Sequence, residues 1–298
     1  MVVLDPALML ATHMIPCEDG HAQERSLTAE ILALVSANDL WVADRNFCTT
    51  FLLFGIAARL GFFAIRHHAN LPIVSSGTIR QCGRTDTGEV FEQPVTIKDA
   101  SGQLMEVRRI ILRLDKPTRD GDAEMAILTN LPKLAANAVA VAVVYRNRWK
   151  LETLFLSLTQ MLEGEINALG YPRAALLGFA IALVTFNILS TVQAAVRGAF
   201  GVEKVQAEVS GYYIANEVRA TAWGMAIAID DGEWERFQTM EPKAFASQLV
   251  KWALLADLKK FKRHPRGPKK PVPKRTLYAD KTHVSTARLI AESRKKAP

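Results

Sequence analysis

The feature that most restricts how this chain folds is a run of 23 residues, 174–196, without a single charged side chain. A helix of that length is long enough to span a bilayer. The run also carries Thr185, Asn187, Ser190, Thr191 and Gln193, and it holds more alanine than leucine. Polar groups at that density oppose membrane insertion. The run is therefore expected to be a fully buried helix of a globular core, with no membrane partner.

The rest of the composition agrees. Of 298 residues, 49% are hydrophobic and 22% charged, which supports a sizeable core and argues against disorder. Cys17, Cys48 and Cys82 are odd in number and form no CxxC pair, so neither a zinc ribbon nor a disulfide framework is indicated. The opening MVVLDPALML has an early aspartate and no basic leader, unlike a secretory signal. A reducing cytoplasm fits these features. The formal charge of +7 is uneven. Of 37 basic and 30 acidic residues, 14 and 2 fall from Lys259 onward, which leaves an acidic body and a strongly basic end. Such an end is either a solubilising tail or a polyanion-binding one.

Periodicity divides the chain. Residues 2–5 and 8–15 are predicted as short strands around an Asp-Pro turn. A helix is predicted over 22–37, with Leu27, Ile31, Leu34 and Val35 on one stripe. Residues 40–43 have the pattern of a buried parallel strand, ending at Asp44. A helix follows over 48–60, with Gly61 as the residue after its cap, and then a strand over 62–65. This alternation is that of an α/β core. From 71 to 132 no helical period occurs, and strand-like runs at 95–98, 107–114 and 125–129 alternate with glycines. Beyond it come long helical stretches at 134–162, 172–196 and 203–229. The domain reading is 1–70, 71–132, 133–230 and 231–298.

Two places concentrate chemistry. Tyr145, Arg148 and Glu152 are spaced 3 and 4 apart, on one face of the predicted 134–162 helix. Arg148 and Glu152 are either an exposed i,i+4 ion pair worth a few tenths of a kcal/mol or a functional pair. Asp44 ends an apolar strand, where α/β folds place catalytic groups, and it also suits a helix N-cap. Cys17, Asp19, His21 and Glu24 cluster, but their order fits a capping turn better than a metal site.

Together these residues carry a family resemblance. The segment 145–155 reads YRNRWKLETLF, similar to the Y-x2-R-x3-E-x6-K signature of insertion-sequence DDE transposases, in the branch with a β-rich insertion ahead of the catalytic Glu. CEDGHAQERSL and WVADRNFCT resemble that branch's approach to its second Asp, which would be Asp44. The resemblance implies an α/β fold: a ribonuclease-H-like core lacking its first strand, interrupted by the insertion and followed by long helices. It implies Asp44 and Glu152 as catalytic, metal-holding carboxylates for Mg²⁺, with Mn²⁺ as substitute. Tyr145 and Arg148, with Lys259, Lys260, Lys262, Arg263, Arg266, Lys269 and Lys270, would contact DNA. The partner would be double-stranded DNA at transposon ends, bound by a homodimer in the nucleoid. Two departures matter. The motif's Lys falls at Thr159, and the strand bearing the first Asp has no counterpart, since Asp5 sits in a turn. The expectation is a copy inactive alone, or a non-catalytic DNA-binding remnant that interferes with a full-length relative.

Overall fold

A computed structural model describes residues 1–17, 24–118, 121–160 and 171–264. The expectations for His21 and for the segment beyond His264 lie outside them. The fold is mixed α/β.

The chain opens with a hairpin. Strands β1 (Val2–Asp5) and β2 (Leu10–Met14) pair antiparallel as a sheet of their own. Asp5 Oδ1 accepts the Ala7 and Leu8 N–H groups at 2.8 and 3.0 Å, which closes the Asp-Pro turn. A 3-10 turn over Glu24–Leu27 leads into α1 (Thr28–Ala33), shorter than the predicted 22–37 helix. Its early end has a local cause. Asp39 Oδ2 accepts the Ser36 N–H at 2.8 Å and Asn38 takes φ 69°, so side chain and backbone hold a turn in place of a further helical one.

Then β3 (Leu40–Ala43), α2 (Thr50–Ala58) and β4 (Phe62–Arg66) form a parallel strand pair with a helical crossover. Thr49 caps α2 by accepting the Leu52 N–H. Leu60, not Gly61, takes the left-handed conformation after α2, with φ 59°. Gly61 is needed for space, because a Cβ there would lie 2.9 Å from Val35 Cγ1 and 3.0 Å from Ile56 Cγ2.

Residues Phe63, Ala64 and Ile65 of β4 are completely buried, as expected for a strand covered on both faces. The segment after it supplies β5 (Ile73–Ser76), β6 (Arg80–Thr85), β7 (Gly88–Lys98), β8 (Leu104–Leu114) and β9 (Glu124–Thr129), all paired antiparallel. They do not stand apart. β9 hydrogen-bonds to β4, giving one seven-stranded mixed sheet in the order β3-β4-β9-β8-β7-β5, with β6 also on β7. The Asn130 amide completes the junction by accepting the Phe63 N–H at 2.8 Å and donating to the Gly61 carbonyl at 3.0 Å. Ile31, Leu32, Leu52, Leu53 and Ile56 of α1 and α2 pack one face with Phe63, Ile65 and Leu128. Ala138, Val141, Ala142 and Tyr145 of α3 (Ala138–Arg146) cover the other, against Ala64, Val90, Ile110 and Ile127. Arg108 staples the two together. It makes a bidentate pair with Glu92 at 3.0 and 3.2 Å and donates to the Leu131 and Ala136 carbonyls.

The predicted 134–162 helix is in fact two, α3 and α4 (Trp149–Gln160). Next comes α5 (Pro172–Phe200), which is not fully buried. Leu183, Phe186 and Leu189 face inward, whereas Leu177, Ile181, Val184 and Ile188 are 56–64% exposed. Among the described residues this one helix is long and apolar enough to cross a membrane, by length and composition. Its Asn187 has a structural reason: the amide accepts the Ala11 N–H at 2.8 Å and donates to the Ala11 carbonyl at 2.9 Å, closing the open edge of β2.

Contacts divide the chain into two compact units, with the boundary inside α5 at Ser190/Thr191. The second unit contains α6 (Val202–Glu208), α7 (Gly211–Ala228), α8 (Gly232–Gln238) and α9 (Pro242–Ala253). The predicted 203–229 helix is broken at Val209, which forms an antiparallel bridge with Lys262.

Two stability outcomes follow. Arg108→Ala leaves the Glu92 carboxylate buried alone and should cost about 3–5 kcal/mol by urea denaturation, with an unchanged slope. Leu60→Gly removes a Cβ from a left-handed position and should raise stability by up to about 1 kcal/mol in the same assay.

Candidate functional site

The parallel register of β3 and β4 sets out the site. Leu40 faces Phe62 and Ala43 faces Ile65, so the next residues, Asp44 and Arg66, emerge side by side where the two strands end. Asp44 caps a 3-10 turn over Arg45–Phe47, its Oδ1 accepting the Asn46 N–H at 2.8 Å. The capping role and the strand-end position thus coincide in one residue. Arg66 was not singled out in the sequence. It occupies the same place after its apolar strand that Asp44 occupies after β3, and that symmetry was the available signal.

Tyr145 comes from the last turn of α3, which lies across the same sheet. The α3–α4 junction then tightens. The Arg148 N–H donates to the Tyr145 carbonyl at 3.1 Å, Lys150 to Asn147 at 2.9 Å and Leu151 to Arg148 at 3.1 Å. These are i to i+3 bonds, and in such a turn residues three apart eclipse. The three residues therefore do not share the face of one continuous helix. The tight turn, rather than α-helical spacing, aligns Tyr145 with Arg148, and Glu152 follows in the first turn of α4.

The contacts form a chain. Tyr145 is 4% exposed. Burial is the main cause that pushes its phenol up to about 12; Asp44 adds to the rise, while Arg148, which hydrogen-bonds the side chain, and Arg66 pull the other way. Arg148 Nη1 lies 3.1 Å from Glu152 Oε1, and its guanidinium carbon lies 5.3 Å from the Trp149 ring centre. The Arg148 Nε is buried with no acceptor among the described residues. A guanidinium with a donor to spare, next to a neutral phenol, suits an anionic oxygen. Arg66 Nη2 donates to Asp122 Oδ2 at 2.6 Å.

Asp44 and Glu152 are oxygen donors of the type Mg²⁺ takes. Among the described residues, no three His, Cys, Asp or Glu side chains gather into a group that could hold a metal. The donor set thus fits in kind and falls short in number. The side chain of Thr159 lies outside the described residues. His67 and Cys48 are ordinary core neighbours. Burial lowers His67, whose Nε2 lies 3.1 Å from the Leu71 carbonyl, and burial raises the Cys48 thiol, which keeps it protonated.

Three further arginines on or over the sheet are committed to carboxylates, whereas Arg109 of β8 meets the neutral Gln93 amide at 3.2 Å and keeps its own Nε buried without an acceptor among the described residues. Arg84 pairs with Asp115, Arg113 with Glu124 at 3.3 Å, and Arg146 with Asp86. In the second unit, Lys259 and Lys260 belong to a 3-10 turn capped by Asp257. The Arg263 N–H donates to the Glu208 carbonyl at 2.6 Å, and its Nη2 to Val209 at 3.3 Å. Lys259, Lys260, Lys262 and Arg263 are exposed. The expected basic tail therefore begins as a surface pinned to α6 and α7. Arg266, Lys269 and Lys270 lie outside the described residues.

No known family model matches this chain, and no curated protein matches it.

The Tyr145 phenol gives a pH test. Its folded value lies above the usual 10, so the folded state holds the proton more tightly. That contribution is complete below pH 10 and fades as pH rises toward about 12. Between those values the unsubstituted chain should lose about 2–3 kcal/mol more stability than Tyr145→Phe in parallel denaturant titrations.

Proposed function

We propose that this chain is a DDE-type transposase of an insertion sequence, built on a ribonuclease-H-like core, and that these residues alone bind DNA without cutting it. The observation that supports the reading is Asp44 at the end of a parallel strand of the sheet that α3 covers with Tyr145, followed by Arg148 in an ion pair with Glu152. Asp44 lies 101 positions before Tyr145, whereas Tyr145, Arg148 and Glu152 lie within seven positions of one another. A parallel strand pair with Asp44 at its end, continued by antiparallel strands ahead of Glu152, supports the same reading.

In this proposal Arg148 and Arg66 meet phosphate oxygens of the DNA backbone as charge-assisted donors. Tyr145 stays neutral, holds Arg148 by its hydrogen bond and closes the floor of the site. Asp44 and Glu152 would hold Mg²⁺, or Mn²⁺ in its place, which when bound supplies charge stabilisation for in-line phosphoryl transfer. Lys259, Lys260, Lys262 and Arg263 would add sequence-independent phosphate contacts. Such a protein works on transposon ends as a homodimer, in the cytoplasm beside the nucleoid. The second reading, a DNA-binding remnant without chemistry, is favoured by one observation: among the described residues no group of three His, Cys, Asp or Glu side chains could hold a metal.

Gel retardation of duplex DNA, run beside a Mg²⁺- or Mn²⁺-dependent nicking assay, tests this. The expected result is retardation that weakens steeply with salt, with no nicks. Arg148→Ala should lower affinity and flatten the dependence of log affinity on log salt by about 1. Absence of retardation at low salt would sink the DNA reading. Nicking that Glu152→Ala abolishes would mean that a third carboxylate takes part, and would sink the claim that these residues do not cut.

A further inference from the structure

The Arg66–Asp122 pair differs from the buried Arg108–Glu92 pair of the same sheet, and from the more exposed Arg84–Asp115 and Arg113–Glu124 pairs by lying at the strand end beside the site. Arg108 holds Glu92 with two of its nitrogens, both side chains are 13–14% exposed, and two backbone carbonyls fix the guanidinium. Arg66 meets Asp122 through one nitrogen at 2.6 Å, and the side chains are 23% and 37% exposed. Asp122 sits on the turn between β8 and β9. That turn is closed by its own bonds: Asp122 N–H to Thr118 Oγ1 at 3.1 Å, Thr118 N–H to the Asp122 carbonyl at 2.9 Å, and Gly121 N–H to the Thr118 carbonyl at 2.9 Å. The Asp122 backbone therefore keeps its place without the ion pair.

On the other side of Arg66, the strand register puts Asp44 next to it, and its charge acts on the Tyr145 phenol. Arg66 thus stands at the edge of the site with its Nη2 taken by a carboxylate. A carboxylate and a phosphate offer a guanidinium the same thing, a pair of anionic oxygens.

The geometry points to Asp122 as a built-in competitor for the DNA phosphate at Arg66. This rests on the DNA-binding reading above. Free protein holds Arg66 neutralised on Asp122. A backbone phosphate arriving at the site takes over the guanidinium, and Asp122 is left to solvent. The pair lowers affinity for any duplex, because each binding event must first separate it. Asp122 touches no reacting atom in this scheme and acts only through Arg66.

The test is a double-mutant cycle read by fluorescence anisotropy on a labelled duplex oligonucleotide, using the full chain. Asp122→Asn, which keeps the shape and removes the charge, should tighten binding about two- to fivefold at low salt, the range expected for a partly exposed ion pair. Arg66→Gln should weaken binding. In the Arg66→Gln background, Asp122→Asn should gain little, because nothing remains to compete for. Urea denaturation of each variant identifies any that has lost its fold, and Asp122→Ser then stands in for Asp122→Asn. An equal gain in both backgrounds would mean that only net charge matters, and overturns the competitor role. Unchanged or weaker binding by Asp122→Asn overturns it too, while leaving the DNA reading intact. A chain that binds no duplex at all removes both proposals.

Discussion

Everything in the first unit depends on the burial of β4 from both sides. Phe63 and Ile65 are held by α1 and α2, and Ala64 by α3, with no exposure at any of the three. A strand in that position cannot shift register by one residue without exchanging its two faces. It is also the strand where parallel and antiparallel pairing meet, with β3 on one edge and β9 on the other. Fixing β4 therefore fixes Asp44 through β3, Arg66 at its own end, and the orientation of the whole antiparallel extension. The small residue in the middle matters: Ala64 leaves room for α3 to come close enough to bring Tyr145 over the sheet.

Electrostatics then separates structural from available charge. Four arginines on or over the sheet, Arg84, Arg108, Arg113 and Arg146, are paired with Asp115, Glu92, Glu124 and Asp86. Arg108–Glu92 is buried and structural, whereas the three exposed pairs contribute little stability each, yet they neutralise positive charge on that surface. Arg148 differs, because one nitrogen meets Glu152 while another is buried without an acceptor. Arg109 of β8 shares the buried, unpartnered Nε and meets only the neutral Gln93 amide, so Arg148 is set apart by its place between Tyr145 and Glu152 and not by that nitrogen alone. The second unit adds its own set, Lys259 to Arg263, anchored by backbone bonds to Glu208 and Val209.

Several elements were legible because their signal is local. The apolar runs at 40–43 and 62–65, and the sixty residues without helical period, needed only side-chain pattern to be read as strands. The Asp-Pro turn and the uncharged helix were legible for the same reason. The misses were partly local and partly tertiary in origin. Helix 134–162 breaks because the Asn147–Arg148 turn takes i to i+3 bonds, and helix 203–229 breaks because Val209 pairs with Lys262. The uncharged stretch was expected to be wholly buried, and only one of its faces is.

The sequence by itself determined the types of element, the place of Asp44 at a strand end, and the residue set Tyr145, Arg148 and Glu152, since each is written in spacing and side-chain chemistry. Tertiary structure alone decided that the antiparallel strands extend the α/β sheet through β9 and β4, that Arg66 belongs beside Asp44, and that Asp122 occupies it. The physical reason is range. Periodicity reports the faces of one element, whereas pairing between strands 62–66 and 124–129, or between a guanidinium and a carboxylate 56 residues away, is settled by which buried surfaces and charges can be satisfied together.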